Sequence, residues 1–280
     1  MTADPAAVAR LAHRIDVYLD AAPRDGSEVL DVGPLRVFLS QLRWPYYARP
    51  RAELDLQAAA AVTAADLQRA AAMMRAANRP VSFEWIQEEV PSMTTAAHEA
   101  GLDVTEYPML VLNELIVPET PAGITLRLLV ADDSDLLLTH VVADLGFSFA
   151  GTAVGEQGAH ERDAALENAR YDDIEQTRAQ VRTGRTVAAA AYDADGMVGS
   201  ARLNPVADVP DVAEIVGVAV LPAYRRRGIA AALTALLAQA ALERGIEVVM
   251  LSAGSPDVAR VYERIGFEPA GHTAAAAPHH

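Results

Sequence analysis

Three consecutive arginines and a glycine, Arg225-Arg226-Arg227-Gly228, join a strand-like run at 214–221 to a helix-like run over 229–244. A strand that turns into a helix through a basic, glycine-containing loop makes an anion site. The first-turn N–H groups of a helix have no intrahelical acceptors, and the macrodipole adds partial positive charge there. Gly228 lets the backbone approach a ligand with no Cβ in the way. The anion best suited is a pyrophosphate. Two common phosphate loops are excluded, because neither G-x-x-x-x-G-K-[ST] nor a strand-following G-x-G-x-x-G is present. What remains is R-x-x-G-x-A, Arg225 to Ala230.

The elements around this hexapeptide fix its setting. Upstream, Glu214-Ile215-Val216-Gly217-Val218-Ala219-Val220-Leu221 reads as a strand, and downstream Glu247-Val248-Val249-Met250-Leu251 reads as the next, buried parallel strand. Then comes Ser255-Pro256, followed by Tyr262-Glu263-Arg264-Ile265-Gly266-Phe267. Ser255 suits an N-cap, Pro256 the first helical position and Gly266 the C′ site. The order strand, R-x-x-G-x-A, helix, strand, Y-x-x-x-G-F resembles the GNAT superfamily of acyl-CoA-dependent N-acyltransferases. The resemblance implies an α/β fold with a mixed sheet (α+β in that sense) and acetyl-CoA as co-substrate, with no metal.

Composition bounds the rest. The chain of 280 residues is 51% hydrophobic and 22% charged, ordinary for a soluble protein, and no apolar run reaches membrane-spanning length. Asp4 comes early and no basic start precedes an apolar core, so residues 1–14 do not read as a secretory signal; the expected location is the cytoplasm. With no cysteine there can be no disulfide, thiolate metal site or cysteine nucleophile, so acyl transfer is direct or uses another nucleophile. A net charge of −15 argues against nucleic acid and anionic membranes as partners. It is compatible with a cationic amine and equally with simple solubility. A homodimer is an open expectation. His279-His280 at the very end carry no argument.

Val117-Pro118-Glu119-Thr120-Pro121-Ala122-Gly123 interrupts apolar segments on both sides and marks a linker at 118–123 between a domain at 1–117 and a catalytic domain at 124–280. After it, the pattern predicts a strand over 124–130, a helix over 135–145, a glycine-rich stretch, and an acidic helix over about 161–182. A hairpin over 186–203 follows, turning at Asp195-Gly196. This order matches the GNAT plan. The N-terminal part shows a faint repeat at an offset of 165: Pro91 lies over Pro256, Gly101 over Gly266, a helical run at 66–77 over 231–242, and a strand-like run at 81–86 over 246–251. It reads either as a degenerate GNAT-like half in tandem with the first or as a chance likeness between alanine-rich units of an accessory α/β domain. In the repeat reading, Ala60 to Ala65 occupy the loop position without arginine or glycine, and Ala97 stands where Tyr262 stands. Such a half should present no anion site.

The resemblance assigns roles to residues. Tyr262 stands where the family's tyrosine hydrogen-bonds the CoA sulfur and supplies a proton to the departing thiolate; the alternative is a core aromatic. Glu214 stands where some members place a general base, and on a period-2 strand it would share a face with Val216, Val218 and Val220; the alternative is a solvated strand end. The backbone of Val218, Ala219 and Val220 would bind pantetheine. Arg225, Arg226, Arg227, Gly228, Ile229 and Ala230 would hold the pyrophosphate, with Arg226 or Arg227 reaching phosphate oxygens. Ser252 and Ser255 are either cofactor contacts or caps, and the asparagine often found near Ser255 is absent. Phe147, Phe149, Tyr171 and Asp172 are candidates for the acceptor pocket. The acceptor would be the primary amine of a small molecule; a protein lysine or N-terminus, or an acyl-CoA-sensing role without turnover, remain the alternatives.

Overall fold

The computed structural model describes residues 5–41, 46–56, 61–149, 151–169 and 174–279. Ala60, Tyr171, Asp172 and His280 lie outside them. The elements run α1 (Pro5–Ala21), β1 (Ser27–Val32), β2 (Leu35–Ser40), β3 (Ala48–Pro50), α2 (Ala64–Ala76), β4 (Phe83–Ile86), α3 (Ser92–Glu99) and β5 (Leu102–Leu112). Then follow β6 (Thr125–Leu129), α4 (Leu136–Ser148), α5 (Ala159–Glu167), α6 (Ile174–Arg182), β7 (Val187–Asp193), β8 (Gly196–Val206), β9 (Val209–Val220), α7 (Ile229–Leu242), β10 (Val248–Ser252), α8 (Pro256–Glu263) and β11 (Phe267–Pro278). The chain forms two compact units, 1–109 with 270–280, and 110–269. The proline-rich break at 117–123 therefore falls inside the second unit, and the tail of β11 belongs to the first.

In the second unit β7 pairs antiparallel with β6 and β8, β8 antiparallel with β9, and β9 parallel with β10. Both faces of this sheet are covered. Leu233, Leu237 and Ala238 of α7 pack on Ala189, Ala191, Ala201, Leu203 and Ile215, while Leu136 and Val142 of α4 pack on Ala188, Ala190 and Met197. The alanines of β7 thus alternate between two helices, and their small side chains allow close approach on both sides. The hairpin at Asp195-Gly196 is held by Arg162 of α5, which donates from Nη1 to Met197 O (2.8 Å) and from Nη2 to Asp195 O (2.7 Å). The acidic segment forms two helices, α5 and α6.

In the first unit β1 and β2 are antiparallel, β2 and β3 antiparallel, β3 and β4 parallel, and residues 273–276 of β11 add antiparallel to β4. Leu67, Ala70 and Met74 of α2 and Met93, Ala96 and Ala97 of α3 share a core with Phe83 and Trp85. The order helix, three strands, helix, strand, helix, strand in this unit repeats the order from α6 to β11. The helix, strand and helix expected near 66–77, 81–86 and 91–100 are α2, β4 and α3.

Gly266 closes α8 at φ +96°, and a Cβ built there would lie 1.7 Å from the carbonyl oxygen of Glu114. Its own carbonyl accepts from Asn113 N–H at 3.0 Å. The position therefore needs glycine twice, for its left-handed backbone and for a backbone-to-backbone approach. Gly266→Ala is expected to destabilise the protein by about 3 kcal/mol or more; urea unfolding with an unchanged midpoint would contradict this contact.

Candidate active site

The site begins where a parallel pair stops pairing. β9 and β10 are matched at Val212–Val248, Ala213–Val249 and Glu214–Met250, yet β9 runs on to Val220. Beyond Glu214 that edge of β9 has no ladder partner in β10, and at its end Val220 O accepts from Arg225 Nε instead (3.4 Å).

The other edge carries a β-bulge. Arg202 pairs with Val216 and Ser200 with Ala219, so Gly217 and Val218 together oppose the single residue Ala201. Gly217 adopts φ +62° in open space. The extra residue reverses the alternation of side chains. Glu214 accordingly shares a face with Val216 and Ala219, on the side of Ser200, Arg202 and Asn204, whereas Val220 turns to the α7 core and Val218 packs beside it. The expected common face of Glu214, Val216, Val218 and Val220 is corrected by this bulge. An isolated glycine inside a strand pattern was its sequence signal. Around Glu214 the face is polar: Ser200 Oγ donates to Thr139 O (3.1 Å), Arg202 Nη2 to Thr139 Oγ1 (3.3 Å), and Asn204, opposite Glu214, meets Thr186 Oγ1 at 3.1 Å.

After β9 a single 3-10 turn, Pro222–Tyr224, leads into the arginine loop. Arg226 sits at φ +63° and Gly228 at φ +84°, two left-handed residues in three positions. α7 starts at once, and its first internal bond runs from Ala232 N–H to Gly228 O (3.1 Å). The N–H groups of Gly228 to Ala231 thus have no acceptor within the helix. A Cβ on Gly228 would find Pro121 Cγ at 3.6 Å. Arg226, Arg227 and Gly228 are exposed, and the Arg227 guanidinium lies 5.6 Å from the centroid of the Tyr224 ring. Donors, dipole and cations together fit a pyrophosphate.

Arg225 has another task. Its guanidinium donates to Gly146 O (2.6 Å), Gly151 O (2.9 Å), Phe149 O (3.0 Å), Ala153 O (3.3 Å) and, from Nε, Val220 O (3.4 Å), and it lies 5.5 Å from the centroid of the Phe149 ring. All five donors of the fork are therefore directed at carbonyls. The acceptors other than Val220 O lie at and just beyond the C-terminus of α4, where the helix dipole is negative. Burial makes this cation easier to deprotonate than an exposed arginine, and carbonyl dipoles rather than carboxylates compensate it. The Arg225 side chain is thus a clamp between the loop and the segment after α4, not a phosphate ligand as expected, because its donors are already used.

Tyr262 on α8 is buried, stands edge-on to Phe267 at 6.3 Å, and makes no hydrogen bond to another described residue. Burial alone raises its phenol to about 12, so it is protonated at neutral pH. Ser255 is the N-cap of α8, accepting from Val258 N–H at 3.3 Å; its oxygen serves the helix, which favours the cap reading over a cofactor contact. Ser252 is exposed at the end of β10. Phe147 is 63% and Phe149 38% exposed beside the clamp.

A split parallel pair, a bulged strand and a basic, glycine-containing loop at a helix N-terminus characterise this α/β domain. Residues 156–267 match the acetyltransferase (GNAT) family, and the chain carries a GNAT acetyltransferase domain. Solved structures similar to it include a GCN5-related N-acetyltransferase from Kribbella flavida, with TM-score 0.67 and 23% identity over 96% of this chain and 95% of that one. A tandem GNAT protein from the clavulanic acid biosynthesis pathway matches with TM-score 0.57 and 16% identity over 98% and 95% of the two chains. A GCN5-related N-acetyltransferase from Sphaerobacter thermophilus matches with TM-score 0.56 and 19% identity over 98% and 92%. At these identities the likeness is one of fold. No curated protein sequence matches the chain.

Two substitutions separate the loop from its clamp. Gly228→Val places a β-branched residue at a left-handed position in front of the free N–H groups and is expected to weaken acetyl-CoA binding by about tenfold or more in calorimetry. A folded variant that binds like wild type would remove the loop from the site. Arg225→Lys keeps the charge but not the fork, and should lower stability by about 2 kcal/mol in urea unfolding. An unchanged midpoint would mean the five contacts contribute little.

Proposed function

We propose that this protein transfers an acetyl group from acetyl-CoA directly to the primary amine of a small molecule. The observation that carries the reading is the free first turn of α7 at the end of a strand whose ladder to β10 has been given up. The loop offers anion donors for the pyrophosphate, and the open edge at Val218 to Val220 offers extended backbone for an amide-bearing arm such as pantetheine. The amine nitrogen bonds to the thioester carbon, the carbon–sulfur bond breaks, the thiolate leaves, and the nitrogen sheds its proton. In this reading Glu214 receives that proton through water, and its position on the polar face with Arg202 and Asn204 supports the role.

Magnitudes limit what Tyr262 does. With its phenol near 12 and an ordinary thiol near 8.5, full proton transfer to the thiolate would be uphill by roughly 5 kcal/mol. Tyr262 therefore acts as a hydrogen-bond donor to the departing sulfur, worth about 1.5–3 kcal/mol for a charged acceptor. The net charge of −15 favours a cationic acceptor in its protonated, pre-reactive form. The first unit is proposed to be a degenerate copy of the second, and the protein to work in the cytoplasm without nucleic acid or membrane; no helix among the described residues is long and apolar enough to cross one.

An acetyl-CoA consumption assay across panels of small amines and peptides tests the reading. Turnover with small amines supports it, turnover with peptides alone replaces it by protein acetylation, and binding without turnover makes the chain a sensor. Tyr262→Phe should lower kcat by about ten- to a hundredfold with little change in acetyl-CoA affinity. Because the phenol stays protonated to about 12, the pH–rate profile of this variant should keep the wild-type shape from about pH 6 to 10. A changed shape would make Tyr262 a titrating acid. Glu214→Gln should lose both activity and the fall in rate on the acid side; retention of that limb would place base duty elsewhere.

A further inference from the structure

A row of polar side chains, Thr186, Asn204 and Glu214, crosses the sheet of the second unit at the point where the β9–β10 ladder ends. Asn204 on β8 is paired with Glu214 on β9, and Thr186 stands one step beyond the pair Val187–Leu203, which sets it opposite Asn204 on the other side. Directly opposite residues of adjacent strands share a face, with Cβ atoms about 4.5–5.5 Å apart. The face is the one that α4 covers, since Ala188 and Ala190, of the same alternation as Thr186, pack on that helix. Thr186 is buried, and its hydroxyl donates to Asn204 Oδ1 at 3.1 Å.

Donor arithmetic gives the row a direction. An ionised carboxylate only accepts, an amide both donates and accepts, and a hydroxyl can do either. With Glu214 ionised, Asn204 has to offer its NH2 group to the carboxylate and its carbonyl to Thr186, which leaves the hydroxyl to donate. That is the sense in which Thr186 Oγ1 meets Asn204 Oδ1. A protonated Glu214 would have a hydrogen of its own to give, and nothing would then require this order. The row therefore favours the charged carboxylate. Arg202, on the same face two positions along β8, acts in the same direction while its Nη2 donates to Thr139 Oγ1 (3.3 Å). Of the ionisable groups on α4, His140 Nε2 meets Thr177 Oγ1 (3.1 Å), Asp135 is paired with Arg127, and Asp144 is exposed. On the β10 side the neighbours of Glu214 are Met250 and, two positions on, Ser252, both uncharged.

We propose that Asn204 is a positioning residue for Glu214, with its amide oriented by Thr186, so that the carboxylate is held charged and fixed in direction for its work as base. Asn204 acts through the carboxylate and not on the reacting atoms. The inference rests on the reading of Glu214 as the base, and it adds the two residues that keep that base ready.

Carbon-13 NMR titration of the full chain, with glutamate labelled at the carboxyl carbon and the Glu214 signal assigned by Glu214→Gln, tests the proposal without any acceptor. Asn204→Leu is close in size and carries no donor, so it should raise the Glu214 midpoint by about half a pH unit or more, about threefold in proton affinity. Asn204→Asp should raise it further by adding a like charge. Thr186→Val should raise it by less, because the amide stays and only its orientation is released. A purely structural role for Asn204 would leave the midpoint where it is. Asn204→Asp keeps the side-chain shape and decides the matter if Asn204→Leu does not fold. A folded Asn204 variant whose Glu214 midpoint stays in place or falls would overturn the inference and leave the base reading standing. A Glu214→Gln variant that keeps the acid limb of its pH–rate profile would overturn the base reading, and the role of Asn204 with it.

Discussion

Everything at the candidate site follows from one interruption: the parallel ladder between β9 and β10 ends at Glu214–Met250 while β9 continues to Val220. Backbone polar groups removed from a ladder must find other partners or water. On the edge facing β8 the chain solves this with a bulge at Gly217 and Val218 and then resumes pairing at Ala219. On the other edge the ladder is not resumed, and Val220 O is taken by the Arg225 guanidinium. A strand that holds one neighbour and releases the other is a template for an extended ligand. The loop that follows needs only to meet that ligand's charged end.

The loop itself is strained and anchored in adjacent residues. Arg226 and Gly228 hold left-handed backbone, which glycine adopts freely but which at Arg226 persists only where surrounding contacts over-determine it. Those contacts come from Arg225, whose fork reaches carbonyls of Gly146, Phe149, Gly151 and Ala153. One arginine of the triplet thus supplies rigidity and the other two supply charge.

The motif order from β9 to the end of α8 was legible because each of its signals has a local cause. Ser255 and Pro256 start a helix, Gly266 ends one where no other residue fits, and Gly228 opens α7. The facing of Glu214 was misread because a period-2 pattern cannot count the extra residue at the bulge. Arg225 could not be told from Arg226 and Arg227, since its partners lie about 75 residues away and no local pattern encodes them. β11 was missed for a related reason. His272-Thr273-Ala274-Ala275-Ala276-Ala277 has little intrinsic strand preference and becomes a strand by pairing with β4, a long-range contact that overrides propensity.

The two units treat the start of the helix after the parallel-paired strand differently. In both, a helix follows the third strand of a hairpin-derived sheet, and in both its first N–H groups demand acceptors. In the second unit Gly228 and the arginines leave the demand open to a ligand. In the first unit Asp66, in the first turn of α2, instead places a carboxylate there that accepts from both the N–H and the hydroxyl of the N-cap residue Thr63. A capped helix is more stable by about 1 kcal/mol, and a carboxylate in its first turn repels a phosphate. Stability and anion binding therefore compete for the same few N–H groups, and the residue three positions into the helix decides between them.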